Sequence, residues 1–281
     1  MQLRKVTAAS AAVLALALAA TACGSDTKDD GAGSGGGGEK ITIGIKIDQP
    51  GLGLKTPDGK FAGFDVDVAT YIAKELGYDA KNINFVETKS ADRETAIERG
   101  DVKFIAATYS INDERQQKVD FAGPYLLAHQ DVLIRADDNT IKSPEDLNKK
   151  KLCSVTGSTS AKNVKEKLAP KAQLQNYGGY SECLTGLENK AIDALTTDDS
   201  ILAGYAAQEA HKGKFKLAGF KMTNENYGIG LKKGDADLKK KIDAALTKMV
   251  SDGSWDKAVE ANFGPAGYKN EPAPAIGNIV K

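Results

Sequence analysis

Apolar and polar residues alternate along this chain in two distinct ways. From Lys40 onward, short continuous apolar runs are followed by segments in which apolar residues recur every three or four positions. Alternation of strands with amphipathic helices is typical of α/β layers with largely parallel sheets. The predicted strands cover residues 40–47, 84–88, 103–107, 131–135, 152–155, 173–177, 191–196 and 227–231.

The predicted helices each carry an apolar stripe. Between Val68 and Leu76 the apolar residues fall on one helical face, and Gly77 favours a helix end directly after them. The other predicted helices cover 91–99, 160–168, 181–189, 200–209, a long segment with Leu238, Ile242, Leu246, Met249 and Val250 on one stripe, and a short segment around Trp255. The last stretch contains Pro272, Pro274 and Gly277, and we expect it to be loosely ordered.

The first 23 residues have the pattern of an export signal. Arg4 and Lys5 precede an apolar run, 6–20, that is too short for a comfortable membrane span. Ala22 before Cys23 resembles the lipobox of bacterial lipoproteins, although alanine stands where leucine is usual three residues before the cysteine. We predict a signal peptide at 1–22 and lipidation of Cys23. The alternative is secretion with Cys23 free.

Charge and composition narrow the class of partner. The chain has 38 basic and 38 acidic residues, and removal of 1–22 leaves 36 basic and 38 acidic ones. Without a basic excess, nucleic acid is not an expected partner, and a small molecule or a protein is. Residues 24–39 contain no large apolar side chain, so 23–39 is predicted to be a lipidated cysteine followed by a flexible tether.

Two further cysteines, Cys153 and Cys183, belong to a chain that we expect to leave the reducing cytoplasm. In an oxidising compartment such a pair is predicted to form a disulfide. The alternatives are a metal-binding pair and two buried thiols, and no histidine cluster accompanies the cysteines to favour a metal.

Three junctions between a predicted strand and the next helix carry polar residues. Strand ends and helix amino termini face one crevice in α/β sheets, and ligands bind there. At the first junction, Asn112 is predicted to cap a helix that starts at Asp113, which leaves Arg115 at the positive end of the helix dipole. An arginine fork matches a carboxylate. Arg115 is therefore a predicted ligand residue, with a solvated surface charge as the alternative.

The second and third junctions offer complementary chemistry. Gly157 permits a tight turn, and Ser158 and Thr159 bring hydroxyls and backbone amides to a helix start, which favours an anion. A plain serine cap is the alternative there. At the third junction, Asp198 ends a strand where a carboxylate can hold an ammonium group, whereas Asp198 or Asp199 can also simply cap the next helix.

These stretches together resemble the polar amino-acid solute-binding proteins of ABC importers, family 3, with the closest likeness to glutamate-binding lipoproteins of actinobacteria. The resemblance covers about residues 40–263. The stretches that carry it, in order, are GKFAGFDVDVATYIAKELG at 59–77, TYSINDERQQKVDFAGPY at 108–125, VTGSTSAKN at 155–163 and AIDALTTDD at 191–199.

The resemblance implies an α/β fold of the two-lobed, periplasmic-binding-protein-like kind (type II). Two hinge strands would join the lobes, and the cleft between them would enclose the ligand. Lobe 1 is expected at 40–129 and 225–281, and lobe 2 at 130–224, with hinges near 129–131 and 222–226.

The resemblance also assigns roles within the cleft. Arg115 and Ser110 would hold the ligand α-carboxylate, the Thr108 main chain and Asp198 would meet the ammonium, and Thr159 with Ser158 would reach a carboxylate across the cleft. The family usually has glycine at position 108 and threonine at positions 110 and 112, so this chain departs from its pattern at three places.

Ligand choice follows from a second set of positions. In related acidic amino-acid binders, groups matching Lys46, Ser90 and Arg93 receive the distal carboxylate, aided by a histidine where this chain has Tyr180. Three cations facing Asp198 suit a ligand of net charge −1, which favours L-glutamate. Aspartate, glutamine and asparagine are the alternative ligands. A further alternative is that Lys46 and Arg93 are ordinary surface charges without a role in binding.

Enzymes such as cyclohexadienyl dehydratases resemble this fold, but an enzyme needs a positioned acid or base. Neither His129 nor His211 lies in a motif with a partner. We therefore expect a monomeric binding protein without catalytic residues, metal or cofactor. Its partners would be an amino acid, the membrane subunits of an ABC permease, and a membrane reached through the lipid anchor on the extracytoplasmic face.

Overall fold

A computed structural model describes residues 38–281, so the predicted export signal, the lipidation at Cys23 and most of the tether lie outside the described residues. The strands are β1 Ile41–Ile45, β2 Asp48–Gln49, β3 Gly53–Lys55, β4 Phe61–Ala62, β5 Ile83–Glu87, β6 Phe104–Ile105, β7 Val119–Arg135, β8 Lys151–Val155, β9 Gln173–Tyr177, β10 Ala194–Asp198, β11 Phe215–Leu217 and β12 Asn224–Lys232. The helices are α1 Phe64–Glu75, α2 Arg93–Arg99, α3 Asp113–Lys118, α4 Thr159–Asn163, α5 Tyr180–Glu188, α6 Asp199–Ala207, α7 Ala236–Ser251 and α8 Ser254–Phe263.

The strands form two groups of parallel neighbours joined by antiparallel ones. The main sheet has the order β5-β1-β6-β12-β7-β10-β8-β9, with β11 also paired to β7. Strand β1 is parallel to β5 and β6, and β8 is parallel to β9 and β10, whereas β12 and β7 run antiparallel to their neighbours. Each parallel group carries its own helices. The two-lobed α/β architecture predicted from the sequence is confirmed.

Strand β7 belongs to both lobes. Its first part pairs with β12, ending at His129 opposite Asn224, and its second part pairs with β10, beginning at Gln130 opposite Asp198. The change of partner falls where the predicted hinges lie. Because β7 and β12 run through this region as continuous strands, the residues at which the lobes divide stay a prediction.

The helices follow the predicted stripes with small differences. In α1 the stripe residues from Val68 to Ala73 are fully buried, and Gly77 adopts a left-handed φ of 92° just beyond the helix. In α7 the stripe is buried except at Val250, which is 41% exposed. The predicted helix at 160–168 begins as α4 and then widens into a π-helical turn at Val164–Leu168.

Cys153 of β8 and Cys183 of α5 are joined by a disulfide, as predicted, with their Cα atoms 5.5 Å apart. Both side chains are fully buried. The bridge therefore ties a strand of the second lobe to the helix that packs against it. In the chain-entropy model, closing a loop of this length stabilises the fold by about 3 to 4 kcal/mol.

The prediction of a loosely ordered carboxyl terminus is wrong. The tail crosses the two hinge strands, where Asn226 exchanges two hydrogen bonds with the Val280 backbone and the Gly277 N–H donates to the Gly123 carbonyl. Glu271 also accepts from His129 Nε2 at 3.0 Å and pairs with Lys221. These partners are distant in sequence, so the local composition of the tail did not reveal them.

Within 38–281, no helix combines the length and the apolar character needed to cross a membrane.

Candidate functional site

Two cavities lie between the lobes, each lined by residues of both. The larger cavity, about 590 Å³, is lined by residues of both lobes, among them Ser90, Arg115 and Thr159. The smaller one, about 160 Å³, is lined by Lys46 and by Gly179 of the second lobe. The Lys46 Nζ donates to Ser90 Oγ at 2.8 Å. That hydrogen bond joins a residue that lines the smaller cavity to a residue that lines the larger one.

Arg115 lies at the start of α3, as predicted. Asn112 caps this helix, because its side-chain oxygen accepts from the Arg115 N–H at 2.9 Å. The guanidinium is buried and donates to the Ser110 carbonyl at 2.7 Å and to the Gly157 carbonyl at 2.9 Å. Its Nε lies 3.5 Å from Glu94. Arg115 is therefore a buried interlobe contact and not a solvated surface charge.

At Gly157, on one rim of the cleft, the backbones of the two lobes approach each other closely. It has a left-handed φ of 79°, and a Cβ there would lie 2.7 Å from the Ala91 backbone of the first lobe. Only glycine accommodates both the conformation and the contact. The Lys162 ammonium also pairs with Glu114 at this rim. At the opposite rim Asp48 accepts from the Ser181 N–H and hydroxyl, each at 3.3 Å.

Lys46, Ser90 and Arg93 are buried on the first-lobe side of the cleft, so the alternative that the two cations are ordinary surface charges is wrong. Burial, together with the nearby Arg93 charge, lowers the pKa of Lys46 to about 7. Burial and the Arg115 charge lower the pKa of Arg93 to about 10. Three cations thus converge in a desolvated space, where each disfavours the charge of its neighbours.

Thr108 has a left-handed φ of 45°, a conformation that favours glycine over a residue with a side chain. Its backbone is already engaged, since the N–H donates to Asp65 at 2.9 Å and the carbonyl accepts from Arg93 at 3.2 Å. The side chain donates to Gln49 at 3.2 Å. The predicted ammonium contact at Thr108 thus falls on a carbonyl that also orients Arg93.

Asp198 lies on the second-lobe side of the cleft, at the end of β10. It occupies the N-cap position of α6 but makes no side-chain cap hydrogen bond. Its carboxylate accepts from Tyr227 Oη at 2.6 Å and from Ser160 Oγ at 3.3 Å. Burial and the Glu225 charge raise the pKa of Asp198 to about 8. Asp199 has the structural role instead, because it accepts from the His129 backbone and from Tyr268.

The hydroxyls of Ser158 and Thr159 have partners within the protein. Ser158 caps α4 by accepting from the Ala161 N–H at 3.0 Å. The Thr159 hydroxyl donates to Glu225 at 2.9 Å. The plain serine cap considered from the sequence is therefore present at Ser158, and the two residues face the larger cavity beside Arg115.

Charges from both sides of the cleft act on Tyr180. It begins α5 and is buried, and burial with the Asp198 charge raises the pKa of its hydroxyl. The Arg93 charge acts on the same hydroxyl in the opposite direction. Tyr180 therefore lies within range of both the first-lobe cations and the second-lobe carboxylate.

The sequence reasoning missed three acids, Asp65, Glu94 and Glu225. Asp65 is fully buried, accepts from Tyr125 Oη at 2.7 Å, and has a pKa raised to about 6 by burial. Glu94 pairs with Arg115, and Glu225 is buried on hinge strand β12. The cleft thus holds more acids than the one carboxylate counted from the sequence, but among the described residues only Arg115 of the three cations has a carboxylate within ion-pair distance. Acids are usually exposed, and nothing in their sequence spacing signalled burial.

Two donors in the cleft region have no hydrogen-bond partner within the described residues. They are Gln49 Nε2 and Arg93 Nε, both fully enclosed. Buried polar atoms normally have partners, and unsatisfied ones mark places where a ligand or ordered water completes the hydrogen bonding. The arrangement of donors, cations and opposing carboxylates suits a small zwitterionic ligand with an additional anionic group.

Residues 41–265 match the model of the bacterial extracellular solute-binding proteins, family 3. The chain belongs to this family. The match covers the two lobes and the three strand-to-helix junctions and ends before the carboxyl-terminal tail.

Among relatives of this family 3 protein, the glutamate-binding protein GluB of Corynebacterium efficiens is 49% identical over 234 residues, which cover 80% of this chain and 79% of GluB. The glutamine-binding protein GlnH of an ABC transporter in Bacillus subtilis is 42% identical over 221 residues, covering 78% and 79% of the two chains. A solved structure of an ancestral arginine-binding protein bound to glutamine has a TM-score of 0.74 at 34% identity, covering 80% of this chain and 98% of that one.

The raised pKa of Asp198 predicts how this family 3 protein responds to Asp198→Asn. The folded pKa lies above the unfolded value of about 3.9, so ionised Asp198 destabilises the folded state increasingly as pH rises from about 4 to 8. In ligand-free protein, Asp198→Asn should raise the free energy of unfolding at pH 8 by about 1 to 3 kcal/mol, with little change at pH 4.5. Chemical unfolding at both pH values measures this.

The exposed residue Asp101 supplies the control, and Asp101→Asn should leave the unfolding free energy nearly unchanged at both pH values. An Asp198→Asn variant whose free energy of unfolding changes by the same amount at pH 8 and at pH 4.5 would contradict the raised pKa of Asp198.

Proposed function

We propose that this family 3 protein captures an acidic amino acid, L-glutamate foremost, and delivers it to the membrane subunits of an ABC permease. The observation that carries the proposal is the convergence of three buried cations, Lys46, Arg93 and Arg115, on the first-lobe side of a cleft whose second-lobe side presents Asp198. The similarity to GluB, a protein named for glutamate binding, supports the same ligand.

In the proposed complex the α-carboxylate binds the Arg115 guanidinium beside Ser110. The donors of Arg115 now serve two carbonyls, and a carboxylate accepts from a guanidinium fork more strongly than a neutral carbonyl does. The ammonium lies between Asp198 and the Thr108 carbonyl, and the ligand cation favours the ionised form of Asp198. Thr159 and Ser158 border this end from the second lobe.

The distal carboxylate is assigned to Lys46, Ser90 and Arg93, with Tyr180 closing over it from the second lobe. An anion here compensates the mutual repulsion of buried cations, whereas a neutral amide does so only through hydrogen bonds. Glutamate is therefore favoured over glutamine as the ligand. Glutamine is the second candidate, because GlnH, a protein named for glutamine binding, is 42% identical to this chain.

The mechanism is capture without conversion. Residues of both lobes contribute to the site, so a ligand that contacts both stabilises the closed arrangement. The direct contacts at the two rims, Lys162 with Glu114 and Asp48 with Ser181, add to that arrangement. The proposed ligand contacts include neither His129 nor His211. His129 instead forms hydrogen bonds with Glu271 and Asn224 near the tail. A dehydratase activity on the same fold has no comparable support.

We further propose that the protein is a monomeric lipoprotein on the extracytoplasmic face. The family name places relatives outside the cytoplasm, and residues 1–23 carry the pattern of a signal peptide with a lipidated cysteine. Mass spectrometry of the mature protein checks this, because lipidated Cys23 has a diacylglycerol mass that a free thiol lacks.

Calorimetry of the purified protein should show 1:1 binding of L-glutamate, and the amino acid recovered afterwards should be unchanged. Arg115→Ala should weaken binding by about 2 to 5 kcal/mol, because the α-carboxylate loses its bidentate partner. Arg99→Ala, which changes an exposed arginine at the end of α2, is the matched control and should bind like wild type. No heat with any acidic amino acid, or a loss under tenfold in Arg115→Ala, refutes the glutamate site.

The pH dependence of selectivity tests Lys46. Its folded pKa of about 7 lies below the unfolded value, so the ammonium is progressively lost as pH rises through 7. The ratio of glutamine Kd to glutamate Kd should therefore fall between pH 6 and 8.5, by up to about tenfold. Effects at Asp198 act on both ligands and cancel in the ratio. Lys46→Met should flatten the profile, and a wild-type ratio that stays constant with pH contradicts this role.

A further inference from the structure

A single aromatic ring contacts two of the buried arginines. The Arg93 Cζ lies 4.1 Å from the centroid of the Tyr109 ring, and the Arg115 Cζ lies 5.0 Å from the same centroid. The arginines come from different helices, α2 and α3, and Tyr109 precedes α3. The Tyr109 side chain is fully buried. Both guanidiniums therefore contact one desolvated ring.

The ring has little freedom to move. Phe121 packs edge-on against it with the ring centroids 4.7 Å apart. On hinge strand β12, a Cβ at Gly230 would lie 2.6 Å from Tyr109 Cε1, so the ring rests directly on the backbone there. A ring held by a strand and a second aromatic side chain provides a fixed surface for the two cations.

The Tyr109 ring attracts both guanidiniums electrostatically, which the hydrogen bonds of the arginines to separate carbonyls do not do. Carbonyl groups bind one end of each guanidinium, Ala107 and Thr108 for Arg93, and Ser110 and Gly157 for Arg115. Arg93 Nε has no hydrogen-bond partner within 38–281. Like charges in a desolvated site repel, and the negative face of an aromatic ring attracts both.

We propose that Tyr109 is a positioning residue that fixes the separation of Arg93 from Arg115, and so the spacing at which the cleft accepts two carboxylates. This inference rests on the proposed function, in which Arg115 holds the α-carboxylate and Arg93 the distal one. Tyr109 itself need not touch the ligand. Its aromatic ring, and not its hydroxyl, carries the role.

Three variants separate this role from ordinary core packing. Tyr109→Phe keeps the ring, Tyr109→Leu removes it, and Phe121→Leu disturbs the same core without removing a cation contact. We expect Tyr109→Phe to bind glutamate within about threefold of wild type, and Tyr109→Leu to lose at least about tenfold, with a lower preference for glutamate over glutamine. Phe121→Leu should lower the melting temperature and weaken glutamate binding less than Tyr109→Leu does, because both cation contacts of the ring stay in place. Calorimetry with the two amino acids measures these outcomes.

Equal losses of affinity and selectivity in Tyr109→Leu and Phe121→Leu, or wild-type binding by Tyr109→Leu, overturn the proposal. A ligand-free readout keeps it testable should glutamate fail to bind. In nitrogen-15 spectra of the full chain, the Arg93 Nε–H proton should be shifted upfield by the ring current in wild type and Tyr109→Phe. That shift should be absent in Tyr109→Leu, with Arg93→Lys identifying the signal. An unshifted wild-type signal overturns the inference independently of the ligand.

Discussion

The arrangement of this protein depends on burying three positive side chains of like charge in one cleft. Removing Lys46, Arg93 and Arg115 from water costs free energy, and their mutual repulsion adds to that cost. The fold offsets it with backbone carbonyls, with Glu94 against Arg115, and with the ring of Tyr109. The pKa of Lys46, lowered to about 7 chiefly by burial, indicates that this compensation is incomplete, and the proposed acidic ligand would complete it.

The second lobe reaches this cluster because β7 and β12 cross between the lobes side by side. Glu225 and Tyr227 lie on β12 and bind groups of the second lobe, Glu225 accepting from Thr159 and Tyr227 donating to Asp198. A change in the position of the crossing strands therefore acts directly on Asp198 and Thr159 of the second lobe. The tail packs on the same strands and couples Asn224 and Asn226 to the last residues of the chain.

Much of the fold follows from local sequence. The alternation of apolar runs and stripes predicts the strands and helices because each buries one side against the layer next to it, as in α1 from Val68 to Ala73. Arg115 could be selected because its position after Asn112 conflicts with the helix dipole. The cap and the buried cation are both present.

The remaining features depend on contacts between residues far apart in sequence. Asp65 and Glu225 resemble surface acids until the fold encloses them, and Tyr109 resembles an ordinary core residue until α2 and α3 bring an arginine to its ring. The tail is polar and contains prolines, yet Asn226 on a distant strand orders it. Such partners have no local signature, so the sequence alone did not predict them.

The proposed function requires that Arg115 and Asp198 hold one end of an acidic amino acid and that Lys46 and Arg93 hold the other. A crystal structure of the protein grown with L-glutamate shows whether they do. We expect the α-carboxylate within hydrogen-bond distance of the Arg115 guanidinium, the ammonium at Asp198, and the distal carboxylate facing Lys46 and Arg93. Glutamate bound outside the cleft, or in the cleft with its two carboxylates exchanged, would refute the proposed site.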